Sequence, residues 1–178
     1  MINENFFKRS SKQVAIDILG KVIVRKLPEN KILRARIIET EAYFDERDPA
    51  SRACQNGDLR KTMQMKPGTI LVYGVHNNWL MNFVTDKEGV ASAVLIRALE
   101  PLNFNLNCSG PGLLTKALAI NKTFHKKDIF SCKDLFLEEF NENKEVFEVI
   151  SDYRIGIKND LNEKLRFYLK DNKHVSKK

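Results

Sequence analysis

Ile37-Ile38-Glu39-Thr40-Glu41-Ala42-Tyr43 reads as a β-strand that carries two carboxylates and a phenol. Side chains two apart on a strand point to the same side, so Glu39, Glu41 and Tyr43 share one face. Just upstream, Leu33 to Ile38 sets Arg34 and Arg36 against Leu33, Ala35 and Ile37, the alternation of a half-exposed strand. Acids at the end of a strand are commonly just solvated. A carboxylate aimed into a partly dry pocket can instead act as a general base. On these residues alone both readings stand.

Outward from this strand the chain alternates short elements with turns. Ser10-Ser11-Lys12-Gln13 fits a capping box, Val14, Ala15, Ile18 and Leu19 share a helical face, and Gly20 suits the position just past the helix. Val22 to Val24 predicts a strand and Pro28-Glu29-Asn30 a turn. Phe44 to Met65 is polar and aperiodic, and a loop of that length in a compact domain is usually functional. Thr69 to Tyr73 and Trp79 to Val84, joined by the turn-like Gly74 to Asn78, predict a protruding hairpin. Ala91 to Leu99 predicts a buried strand, and Gly110-Pro111-Gly112 leads into a helix over Leu113 to Ile120. Four short strands follow, at Leu135 to Leu137, Val146 to Ile150, Arg154 to Ile157 and Leu165 to Leu169. Hairpins outnumber βαβ units, which predicts one α+β domain over residues 1–178, with a mixed, mainly antiparallel sheet and peripheral helices.

The bulk properties narrow the function classes. A chain of 178 residues, 43% hydrophobic and 30% charged, is an ordinary globular composition. No apolar run is long enough to span a membrane, and Met1 to Lys12 lacks the apolar stretch of a secretory signal, so an intracellular location is expected. Cys54, Cys108 and Cys132 form no CxxC pair, and His76, His125 and His174 show no metal-binding spacing. Neither a metal nor another cofactor is expected. The formal charge of +7 favours an anionic partner, nucleic acid first. Part of that excess lies in the tail, whose last residues, 171–178, read as a frayed basic end.

Three further features could carry chemistry. Arg97, inside the apolar run Leu95-Ile96-Arg97-Ala98-Leu99, is costly unless paired, whether with a substrate group or in a structural ion pair. The segment from Tyr73 through His76 to Trp79 could wedge into a base stack or simply pack as strand residues. Ser109-Gly110-Pro111-Gly112 could open a phosphate-binding helix or be a structural turn.

In order along the chain, Arg36 to Tyr43, Lys66-Pro67-Gly68-Thr69, Met81-Asn82, Val94 to Pro101, Gly110 to Lys122, Arg154-Ile155-Gly156-Ile157 and Leu165 to Tyr168 resemble the alkyladenine (methylpurine-type) DNA glycosylases. The resemblance implies a monomeric base-excision-repair enzyme that needs no cofactor. It would act on double-stranded DNA containing a damaged purine: alkylated adenine, hypoxanthine or ethenoadenine. The damaged nucleotide would be flipped out and its N-glycosidic bond hydrolysed, leaving an abasic site without strand cleavage. Glu41 matches the general base that activates water, and Arg97 the arginine that helps to place it. Ile155 matches a residue whose main-chain carbonyl completes the water site. Tyr43 matches an aromatic that stacks on the flipped base, and Asn82 an asparagine that crowds the exocyclic amine of guanine. A non-catalytic nucleic-acid-binding protein of the same fold is the alternative.

The chain departs from the family pattern in three places. Arg52 stands where the family has a histidine that walls the base pocket, and its planar guanidinium could stack there instead. The hairpin keeps one tyrosine of the usual two, so Tyr73 aligns either with the stacking residue or with the wedge. The first alignment makes His76 or a neighbour the intercalator. The link from Pro101 to Cys108 is also shorter than the family's usual connection.

Overall fold

The computed structural model describes residues 2–140 and 147–176. Its central strand, β2, runs Ile32–Tyr43 and is the longest of the described strands. One edge of β2 pairs with β5 (Ala93–Pro101) along most of its length. The other edge is shared: β1 (Val22–Lys26) takes Ile32 to Arg36, and β8 (Arg166–Leu169) takes Glu39 to Glu41. The sheet is completed by β3 (Ile70–Val75), β4 (Asn78–Val84), β6 (Leu135–Glu138) and β7 (Val149–Asp152). The order is β3-β4-β5-β2-β1-β6, with β8 on β2 and β7 on β8, and every described pairing is antiparallel. With helices α1 (Glu4–Phe7), α2 (Ser11–Asp17), α3 (Asp58–Met63) and α4 (Pro111–Ala117), the architecture is the α+β class read from the sequence.

Local chemistry explains most boundaries. Ser10 caps α2 by accepting from the Gln13 amide at 3.4 Å, and Val14, Ala15 and Ile18 are turned into the core. Thr40 of β2 donates to the Ala15 carbonyl at 2.7 Å and ties the helix to the sheet. The β3–β4 hairpin turns on His76 and Asn77 alone, with φ of 46° and 61°, the positive pair that a two-residue hairpin loop demands. Gly74 and Val75 therefore belong to the strand rather than to the turn.

The structure differs from the sequence reading in four further places. The half-exposed alternation of β2 holds only at its start, where Leu33 is buried and Arg34 partly exposed: residues 35–42 are all buried, and Arg36 is covered because it bonds to Glu100 at 2.8 Å and lies over the Phe140 ring. The long loop contains a 3-10 turn at Arg52–Cys54 and helix α3, anchored by a small apolar cluster of Ala53, Met63, Leu71, Val84, Ala91 and Ala93. Residues 154–157 form a turn through Gly156 (φ 77°) instead of a strand, because their polar groups are directed inward as described below. The stretch 171–176 is not frayed: the Ser176 amide donates to Glu39 Oε2 at 2.6 Å, and Asn172 donates to Glu100 at 3.2 Å. Of the predicted strand from Val146, that first residue lies outside the described residues, as do 177 and 178 of the tail.

The main core joins α2, both faces of β2 and the inner side of β3–β5. Phe83 is fully buried at its centre, with the Phe7 ring 5.5 Å away. Truncating such a ring leaves a cavity that the packed sheet cannot close, so Phe83→Ala is expected to lower stability by about 3–5 kcal/mol. Urea denaturation checks this, and a loss below about 1 kcal/mol would contradict the packing described.

Candidate active site

The face of β2 chosen at the outset carries the site. Glu39 and Glu41 are both completely buried. Two irregularities in the β2–β5 pairing lie beside them: Ile37 opposes Leu99, Glu39 opposes Ala98 and Thr40 opposes Ile96, which leaves Ile38 and Arg97 outside the register. A bulge of this kind re-aims the side chain it carries. Arg97 reaches both acids, with Nε donating to Glu39 Oε1 at 3.1 Å and Nη1 lying 3.2 Å from Glu41 Oε1. Glu39 also accepts from Arg166 Nε at 2.7 Å and from the amide and hydroxyl of Ser176.

Glu41 has a different set of partners. The Ile155 amide donates to its Oε1 and the Tyr43 hydroxyl to its Oε2, each at 2.8 Å. Burial pushes the Glu41 carboxyl above its ordinary value, and the neighbouring Glu39 adds to that shift. Arg97, the Ile155 amide and the Tyr43 hydroxyl oppose it and favour the carboxylate. The Tyr43 phenol is itself held well above its ordinary value by burial and by Glu41, so it remains a donor. A carboxyl with a raised folded-state pKa favours folding when protonated, and that contribution is lost as pH rises through the folded value. At neutral pH, Glu41 therefore detracts from stability.

A second buried network holds the loop over this centre. Asp48 accepts from Arg154 Nη1 and Nη2 at 2.7 and 2.8 Å, a bidentate pair with both side chains fully buried. Asp48 also accepts the amides of Phe44 and Ala50, while Arg154 donates to the Ala42 carbonyl at 2.9 Å and bonds to Asp160. Burial disfavours the Arg154 charge, but Asp48 and Asp160 outweigh it and raise its pKa. The guanidinium carbon lies 4.5 Å from the centre of the Tyr43 ring. This clamp was not evident from the sequence. Asp48 has no local signal within its polar loop, and the spacing places Arg154 in a strand.

A cleft of about 670 Å³ opens above these residues, lined among others by Tyr43, Arg52, Tyr73, Arg97, Pro111 and Ile155. Glu41 lies directly behind Tyr43, Arg97 and Ile155. A second, much smaller pocket of about 10 Å³ lies between Tyr43, Arg52, Tyr73 and Asn82 and shares the first three residues with the cleft. Asn82 is held there by its own donation to the Leu71 carbonyl at 3.2 Å, and the Arg52 guanidinium lies 5.2 Å over the Tyr73 ring. Seven of the eight residues singled out from sequence thus collect at one place. His76 stands apart, exposed at the tip of the hairpin. For Ile155, the contact seen is made by the amide rather than the carbonyl. A cleft of about 690 Å³ beside α1 offers less, since Arg9–Asp17 and Lys21–Glu139 ion pairs occupy its charged groups. Among the described residues no group of three His, Cys, Asp or Glu side chains could hold a metal ion, and no helix is long and apolar enough to cross a membrane.

Residues 5–173 match the model of the methylpurine-DNA glycosylases, and the chain belongs to that family of DNA glycosylases. A relative from Aeropyrum pernix is 38% identical over 99% of this chain and 93% of its own length. One from Legionella pneumophila strain Paris is 40% identical over 97% and 96%, and one from Chlorobium phaeobacteroides 34% over 99% and 97%. All three are provisionally named 3-methyladenine DNA glycosylases.

The clamp yields a direct test. Arg154→Met leaves Asp48 buried without its counter-charge, which is expected to cost about 3–5 kcal/mol. A melting temperature within a degree or two of wild type would show that the pair does not hold the loop.

Proposed function

We propose that the protein is a monofunctional glycosylase that removes damaged purines from double-stranded DNA by hydrolysis, with Glu41 as general base. The observation that carries this reading is the buried Glu41 carboxylate. It is kept ionisable by Arg97 and lies behind a cleft with aromatic walls. The glycosidic bond is inaccessible within a duplex, so the damaged nucleotide is rotated out and its base enters the cleft. There the purine stacks against Tyr43 and Tyr73, and Asn82 crowds the exocyclic amine of guanine. A water bonds through its oxygen to C1′ of the sugar while one of its protons passes to Glu41. The electron pair of the C1′–N9 bond leaves with the purine: a ring-alkylated cation departs as a neutral base, whereas a neutral lesion departs as an anion that takes up a proton from solvent. Arg97 orients the water and holds Glu41 in its charged form, and Ile155 fixes the carboxylate through its amide.

Around this chemistry, His76 at the hairpin tip fills the gap left in the base stack. The net charge of +7 supplies a salt-dependent grip on phosphates. One domain contains the whole reaction, so the enzyme works as a monomer, within the cell and on its DNA. Alkylated adenine, hypoxanthine and ethenoadenine are the candidate lesions.

Duplex oligonucleotides with each lesion, incubated with protein and then treated with alkali, test the reading. Wild type is expected to release base and leave an alkali-labile site. Glu41→Gln should fold and bind but lose a factor of about 10² or more in rate, the usual contribution of a general base. Binding without release by wild type on every lesion would overturn the proposal in favour of a binding protein. The base acts deprotonated and its carboxyl is raised, so the single-turnover rate should fall as pH drops through a value above 4.5, the ordinary value for a glutamate. Because Arg97 lowers that value, Arg97→Gln should move the acidic limb to higher pH; an unmoved limb would show that Glu41 is not the titrating group.

A further inference from the structure

Arg52 projects a permanent cation into the pocket, and we propose that it makes the site selective for neutral damaged purines over cationic, ring-alkylated ones. The inference rests on the glycosylase reading above and deepens it by naming the substrate class.

Arg52 lines both the open cleft and the small pocket beside it, which it shares with Tyr43, Tyr73 and Asn82. Its guanidinium is stacked on Tyr73, and among the described residues no carboxylate forms an ion pair with it. The residue rides on a rigid base. The Ser51 hydroxyl caps the 3-10 turn by accepting from the Ala53 amide at 3.1 Å, and the Ser51 amide donates to the Asp48 carbonyl at 2.9 Å. Asp48 is in turn locked by Arg154. The backbone at Arg52 is therefore anchored, and the contact with Tyr73 holds the guanidinium at the pocket wall.

A guanidinium keeps its charge at any physiological pH and offers a planar fork of donors. A purine alkylated on a ring nitrogen enters the cleft as a cation and meets a like charge in a partly desolvated place. A deaminated purine enters neutral. When its C1′–N9 bond breaks, the bonding electrons stay on the ring, which gains negative charge until it is protonated. Arg52 donors at the oxygen or ring nitrogens of that base bind the developing anion more tightly than the ground state, which accelerates the chemical step. The cationic lesion leaves as a neutral base and draws no such benefit.

The test compares kcat/KM for excision of hypoxanthine and of 3-methyladenine from the same duplex by wild type, Arg52→Gln and Arg52→Lys, with melting temperatures as the folding control. Arg52→Gln should lose at least tenfold on hypoxanthine and gain on 3-methyladenine, so that the ratio of the two drops more than tenfold. Arg52→Lys, which keeps the charge but not the flat fork, should leave 3-methyladenine disfavoured and restore only part of the hypoxanthine rate. A parallel fall on both lesions, or an unchanged ratio, would overturn the inference while leaving the glycosylase reading intact. Release of neither base by any of the proteins, wild type included, would overturn the glycosylase reading itself, and this inference with it.

Discussion

Two ionisable acids sit on the innermost strand of the sheet, both fully buried, and the rest of the molecule is arranged to tolerate them. A buried carboxylate is costly unless it is paired and hydrogen-bonded. Glu39 is satisfied from three directions, by Arg97 on the next strand, Arg166 on the strand across and Ser176 from the end of the described chain. Glu41 is less completely neutralised: one shared arginine, one amide and one phenol. The asymmetry suits a division of labour in which Glu39 is a fixed counter-charge for Arg97 and Glu41 remains free to accept a proton.

Meeting these demands shapes the fold. The forked edge of β2, where β1 leaves off and β8 begins, brings Arg166 beside Glu39. The bulge in the β2–β5 pairing brings Arg97 between the two acids. The turn at 154–157 gives up strand pairing so that one of its amides reaches Glu41 and Arg154 reaches Asp48. That second ion pair fixes the start of the long loop, and through Ser51 it fixes the position of Arg52. Site and scaffold are thus one connected set of charges, and the elements that break regular pairing are those that supply them.

Much of this was legible in the sequence. The strand ending in Tyr43 announces itself by period-2 spacing, the helix after Ser10 by its cap, and the hairpin by its two apolar runs, because these depend on neighbours within a few residues. Glu41, Tyr43, Arg97, Ile155, Arg52, Tyr73 and Asn82 were singled out before any contact was known, Glu41 and Tyr43 partly because they share a strand face. The order of motifs along the chain named the family, and with it the kind of chemistry.

What the sequence could not determine was the state of those groups. From residues alone, Glu41 was as consistent with a solvated acid as with a buried one, Arg154 with a strand residue, and 171–176 with a loose end. Burial, the bulge that turns Arg97 inward, the Asp48–Arg154 clamp and the docking of Ser176 on Glu39 all join residues 58 to 137 positions apart. Local spacing carries no record of such pairings. They are selected by the desolvation of charge, and that cost exists only once the chain has closed around the acids.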